Sequence, residues 1–138
     1  VPLRFGTAEW ARELEQSINA SSEVRNAAAA WGVGFNGNLL LVFEPDEGSP
    51  AGQSLLLRLQ GGRCLGAEFV EGDSHPDSGF ALRAPLSLWR QILDGKATAA
   101  TAILTGRMKV EGDKLKLLRY AAAHRAVLAC AAGLDTVY

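Results

Sequence analysis

The stretch that decides the fold is Phe80-Ala81-Leu82-Arg83-Ala84-Pro85-Leu86-Ser87-Leu88-Trp89-Arg90-Gln91-Ile92-Leu93-Asp94-Gly95, together with the segment from Lys96 to Gly133. Phe80, Leu82 and Ala84 alternate with Ala81 and Arg83, which predicts a strand with one apolar face. Pro85 suits the first position of a helix and Gly95 the position just past its end. Leu88, Trp89, Ile92 and Leu93 form an apolar stripe between them. A second, Ala-rich helix ends at Thr105-Gly106. Met108 and Val110, opposite to Arg107 and Lys109, predict another half-buried strand. Asp113 is a suitable N-cap for one long closing helix. Leu115, Leu118, Ala122 and Ala129 run down one side of it, while Leu117, Tyr120, Ala121, Val127 and Leu128 make other sides apolar. A helix apolar all round is buried on several sides or covers something removable. In a small protein such surplus surface covers a core, a partner or a lipid.

Upstream, Thr7 predicts the N-cap of a first helix, with Glu9 in its first turn. Trp10, Leu14 and Ile18 recur at spacing four as its buried stripe. Ser21 or Ser22 caps a second helix from about Glu23 to Ala30, ended by Trp31-Gly32. Asn36-Gly37 reads as a hairpin turn between Val33–Phe35 and Leu39–Phe43. Pro45–Gly52 is a polar loop. Leu55, Leu57 and Leu59 share a strand face, Gly61-Gly62 turns the chain, and Leu65, Ala67 and Phe69 share the next. Gly72–Gly79 is a second polar loop. One apolar face per strand predicts a single sheet packed against helices, in one domain spanning 1–138.

The chain has 138 residues, 48% of them hydrophobic, enough for a real core. Its net charge of −1 makes no case for a nucleic-acid partner. The charges are unevenly spread. Residues 1–82 hold 5 basic and 11 acidic side chains, residues 83–125 hold 9 and 3. Two solvated faces of opposite sign explain this; so does a basic face that meets anionic lipid headgroups. Cys64 and Cys130 sit among apolar neighbours and read as buried free thiols. The start Val1-Pro2-Leu3-Arg4 shows no apolar leader core, and Asp135-Thr136-Val137-Tyr138 shows no peroxisomal address. The expected compartment is the cytoplasm.

Catalytic patterns are absent from the sequence. His75 lies in a polar loop, and His124 reads as an ordinary helix residue near the surface. Neither has a second His or Cys at ligand spacing, so neither a metal nor a cofactor is expected. Glu68 and Glu71 read as solvated strand residues, and Arg58, Arg63 and Arg83 as an outward basic strip that protects the sheet. Trp31, Phe35, Phe43, Phe69, Phe80 and Trp89 fit either core packing or the wall of a tunnel beneath the sheet.

These residues carry a family resemblance. Phe80 to Gly95 is similar to the strand–helix segment of the sterol-carrier-protein type two family. So is Ile103-Leu104-Thr105-Gly106-Arg107-Met108-Lys109-Val110-Glu111-Gly112-Asp113 with the Leu-rich helix after it. The front, from Glu9-Trp10-Ala11 through Trp31 to Leu40–Gly48, resembles small stand-alone prokaryotic members. The resemblance implies an α+β fold with a mostly antiparallel five- or six-stranded sheet, covered on one face by helices that enclose an apolar cavity. It implies a non-catalytic carrier for a sterol, fatty acid or acyl-CoA. By motif position, Leu88–Leu93, Ile103–Met108 and the last helix would enclose the cavity. Its expected lining is drawn from Phe43, Leu57, Phe69, Leu82, Trp89, Leu93, Leu104, Met108 and Leu118. Lys109, Lys114, Lys116 and Arg119 are expected beside its entrance, where an anionic membrane surface would be met.

A competing function uses the same residues. The apolar helix surface could form a homodimer or dock on an enzyme, with no ligand. A cavity with room for a lipid separates the two.

Overall fold

In the computed structural model, which describes residues 2–46 and 52–138, Thr7 begins the first helix as its cap. Its hydroxyl accepts from the Trp10 N–H. The helix, α1 (Ala8–Ala20), buries Trp10, Ala11, Leu14 and Ile18. This is the face that spacing four puts in line. Before α1 lies a short strand, β1 (Leu3–Arg4). Ser21 then caps α2 (Ser22–Ala27) by accepting from the Val24 N–H. This helix is shorter than the alanine run predicts, because Ala28–Trp31 is already turning.

The sheet follows as β2 (Leu39–Glu44), β3 (Gln53–Gln60), β4 (Arg63–Glu71) and β5 (Phe80–Pro85). Then come α3 (Leu86–Leu93), α4 (Ala99–Leu104) and β6 (Lys109–Glu111), and finally α5 (Lys114–Arg119), α6 (Ala121–Ala132) and β7 (Thr136–Val137). Among the described residues, five strands join in the order β4-β3-β2-β5-β6. The sheet is mixed: β2 and β5 run parallel and the other neighbouring pairs antiparallel. A separate parallel pair, β1 with β7, ties the ends of the described chain together. The Pro45–Gly52 loop lies mostly outside the described residues.

Alternation divides the sheet into two faces. Leu39, Leu41 and Phe43, Leu55, Leu57 and Leu59, and Phe80, Leu82 and Ala84 join the large core beneath the helices. Leu40, Val42, Leu56 and Ala81 form a second, small cluster on the other face. No helix contributes to that cluster. The Gly72–Gly79 connection passes this face instead. It is held where the Ser54 hydroxyl donates to the Gly72 carbonyl, and where Asn36 and Asn38 both donate to the Asp77 carbonyl. Arg58 pairs with Glu68 and Asp77, and Arg83 with Asp73 and Glu111. Their aliphatic stems can shield the leucines while the charged heads stay wet.

Other expectations change as well. There is no hairpin at Asn36-Gly37 and no strand over Val33–Phe35. Gly37 is needed for close approach: a Cβ there would lie 2.7 Å from the Trp31 indole nitrogen, which donates to the Gly37 carbonyl. Leu65 does not share a face with Ala67 and Phe69. The register steps from Arg58↔Gly66 to Leu59↔Cys64, so Leu65 is the extra residue of a bulge and is 61% exposed. Pro85 is the last residue of β5 rather than the first of α3. The Ser87 N–H is instead met by the Asp46 carboxylate, whose pKa is lowered by hydrogen bonds from the Ser87 side chain and backbone. Lastly, the closing helix is broken at Tyr120 into α5 and α6. The Tyr120 ring packs edge-on to Trp31 at 5.4 Å. Leu115, expected on the buried side, is 75% exposed, and the buried side runs through Leu117, Ala123, His124, Ala126, Val127 and Ala131.

Candidate functional site: an apolar cavity under the helices

Leu39 and Leu41 of β2, Leu57 of β3 and Leu82 of β5 form the floor of a cavity of about 270 Å³. Its walls are Ile92, Ile103, Leu117, Leu118, Val127 and Leu128. The space exists because small residues face each other above the leucines. Gly95, Ala97, Ala99 and Ala100 stand on the connection into α4, with Ala121, Ala129 and Ala132 on α6. Gly95 has φ +77°, a left-handed turn that ends α3 and leads the chain round the cavity. Gly95, Thr98, Arg125, Ala129 and Ala132 also line the cavity yet are exposed, and mark its mouth.

Large aromatics pack on either side of this space. Phe5 meets Trp10, Phe43 and Phe69 edge-on at 5.0, 5.1 and 5.3 Å. Trp31 meets Phe35 at 5.0 Å and Phe80 at 4.9 Å. Such rings fill volume, so the sites they occupy are closed.

Of the nine expected lining residues, Leu57, Leu82 and Leu118 face the cavity. Phe43, Trp89 and Leu93 border a neighbouring void of only about 20 Å³. Trp89 is fixed there by donating its indole N–H to the Val42 carbonyl at 2.9 Å. Phe69 belongs to the aromatic cluster with Phe5, Trp10 and Phe43. Met108 is buried in the core away from the cavity. Leu104 is 71% exposed. It ends α4, and helical rotation gives the inward direction to its neighbour Ile103. Sequence reasoning looked for bulky walls. The readable signal was the opposite, alanines concentrated in both segments that meet over the leucine floor. The four basic residues expected at the entrance do not line it either. Lys116 sits over the Phe35 ring at 4.1 Å, and the cation at the mouth is Arg125.

His124 differs most from its expectation. It is 8% exposed and lines the cavity. Burial alone pushes its pKa down to about 4, so the imidazole is neutral near pH 7. Cys64 is also buried, and burial pushes its thiol up to about 11. Both cysteines are free. Among the described residues, no three His, Cys, Asp or Glu side chains gather as a metal site. No helix there is long and apolar enough to cross a membrane.

A mixed sheet roofed by helices, with an apolar cavity between, places the protein among two-layer α+β architectures. Residues 8–124 match the SCP-2 sterol transfer family, and the chain belongs to it. A crystal structure of sterol carrier protein 2 is 28% identical with a TM-score of 0.82, covering 94% of this chain and 98% of that one. A solution structure of a conserved hypothetical protein from Thermus Thermophilus, possibly a sterol carrier protein, is 29% identical, also at 0.82, covering 96% and 91%. Sterol carrier protein 2 from Yarrowia Lipolytica, in its apo form, shares the fold at 19% identity and TM-score 0.56, over 93% and 92%. No curated protein sequence matches the chain. Membership suggests a lipid-binding or transfer protein, in a family whose domain is typically a non-catalytic carrier.

Proposed function

We propose that this protein binds and carries one hydrophobic small molecule, a single acyl chain, in the cavity above Leu39, Leu41, Leu57 and Leu82. The observation that carries this is the cavity itself, about 270 Å³ and lined almost wholly by aliphatic side chains. Its volume is just under the roughly 300–1,000 Å³ usual for small-molecule pockets. That favours a flexible chain over a rigid fused-ring lipid. The mouth between Gly95–Ala100 and α6 supports exchange without unfolding, and the Arg125 guanidinium there suits an acidic headgroup.

Displacement of a fluorescent fatty-acid probe by unlabelled fatty acids, with native mass spectrometry of the gently purified protein, tests the proposal. One bound chain per protomer is the expected result. Failure of every fatty acid to displace the probe, with a bare dimer in the mass spectrum, would favour the interaction-module alternative.

A further inference from the structure

Among the described residues, the buried polar side chains are, with one exception, answered. The Trp10 indole N–H donates to the Thr136 hydroxyl at 2.9 Å, that of Trp31 to the Gly37 carbonyl at 2.8 Å, and that of Trp89 to the Val42 carbonyl at 2.9 Å. Ser54, wholly buried, donates to the Gly72 carbonyl at 2.6 Å. His124 is the exception. Among the described residues, it is the one buried side chain whose polar atoms, Nδ1 and Nε2, have no hydrogen-bonding partner. Its ring stands perpendicular to Trp31 with centroids 4.4 Å apart, which fixes one side of it. On the Trp31 side it also borders a void of about 10 Å³ shared with Arg63, and it contributes to the lining of the cavity.

We propose that His124 is the hydrogen-bonding anchor for a neutral oxygen, a hydroxyl or carbonyl, at the buried end of the cavity's apolar ligand. The proposal rests on the cavity being a binding site. A neutral imidazole offers one donor and one acceptor, and a buried polar group left without a partner is costly. A hydroxyl can answer either nitrogen, a carbonyl the protonated one. As the ring stands, neither nitrogen is open to the cavity. Turning the ring about Cβ–Cγ, a broad two-fold torsion, exchanges the place of each nitrogen with that of a ring carbon. The ring can therefore present either group to the space it borders. A carboxylate is the poorer match. The charged side chain on the lining is Arg125, exposed at the mouth and about 100° round the helix from His124. An acidic group stays with that guanidinium and with water, whereas burial beside a neutral ring would strip it of both.

The test compares 1-octanol, octane and octanoate as competitors of a fluorescent fatty-acid probe, in the wild type and in His124→Phe. Octane reads the cavity; the difference between octanol and octane reads His124. Relative to octane, octanol is expected to bind the wild type at least about three- to ten-fold more tightly than it binds the variant. The imidazole ¹⁵N shifts of wild-type His124 are the second measurement, independent of whether the variant folds. Octanol should move them to a hydrogen-bonded neutral tautomer, and octane should leave them in place. An octanol/octane ratio unchanged by His124→Phe, with unmoved shifts, would overturn the role of His124 and leave the cavity proposal standing. Shifts of an imidazolium in the octanoate complex would overturn the preference for a neutral oxygen. No binding of any of the three would overturn the cavity proposal, and this one with it.

Discussion

Replacing His124 by Phe should remove an acid sensitivity from the fold. In the native state His124 is held to a pKa of about 4 by burial, against an ordinary value of 6.5. Between those values the unfolded chain takes up a proton that the folded chain does not. Stability therefore falls as pH drops through 6.5 and stops falling, on this account, below about 4. The whole gap corresponds to about 3 kcal/mol, of which roughly 2.5 kcal/mol is lost by pH 4.5. Arg125, lining the same cavity, and Arg63, lining the small space on the Trp31 side of the ring, are both cations and would act in the same direction. Asp46 cannot imitate the effect. Its carboxyl is held below its ordinary 3.8 by hydrogen bonds to Ser87, so its contribution is lost at lower pH. Urea unfolding of the wild type and His124→Phe at pH 7.5, 6.5, 5.5 and 4.5 is the assay. Subtracting one series from the other cancels the carboxylates common to both. The wild type should lose about 2.5 kcal/mol relative to the variant across that range, or roughly 8 °C in Tm. Parallel curves would refute the reasoning, because they would mean that the imidazole titrates alike in the folded and unfolded chains.

Other outcomes rest on the same geometry. Ala129→Phe, at the exposed mouth, should abolish displacement of a fatty-acid probe while leaving Tm within about 3 °C, since no core packing is disturbed; undiminished binding would place the entrance elsewhere. Gly79→Ala should cost at least about 2 kcal/mol in urea unfolding, because the added Cβ would lie 2.1 Å from the Asn36 carbonyl oxygen and backbone must move. Lys109, Lys114 and Arg119 are exposed, as is Leu115, so co-sedimentation with anionic vesicles is expected at low salt, with each cation contributing about 1 kcal/mol and added salt weakening the binding. Lys114→Glu should account for most of the loss in Lys114→Glu/Lys116→Glu, because Lys116 already covers Phe35; equal binding to neutral and anionic vesicles would overturn this.

Most of the inward residues of the sheet could be read from alternation alone. Phe80, Leu82 and Ala84, or Leu55, Leu57 and Leu59, face the helices because a strand has period two and one face of this sheet is roofed. Thr7 and Asp113 could be named as caps, and the second cap narrowed to Ser21 or Ser22, because a cap needs only a short oxygen-bearing side chain two or three residues before a free N–H. Family membership was legible for the same reason, since the strand–helix segments that carry it are local patterns. All of these depend on neighbours in sequence.

What neighbours in sequence do not contain, the tertiary structure decided. The parallel pairing of β2 with β5 joins segments some forty residues apart. The Asn36-Gly37 pair lost its hairpin to the Trp31 side chain, which claims the Gly37 carbonyl. The bulge that expels Leu65 arises from register against β3. The cavity is the clearest case. A void is what side chains leave unfilled when elements meet, so the alanines of α6 and of the approach to α4 become informative only once they are opposed. His124 likewise carries no mark in sequence that separates it from a surface histidine. Its burial, its missing partners and its lowered pKa are consequences of which way α6 turns after the break at Tyr120, and of Trp31 standing against it.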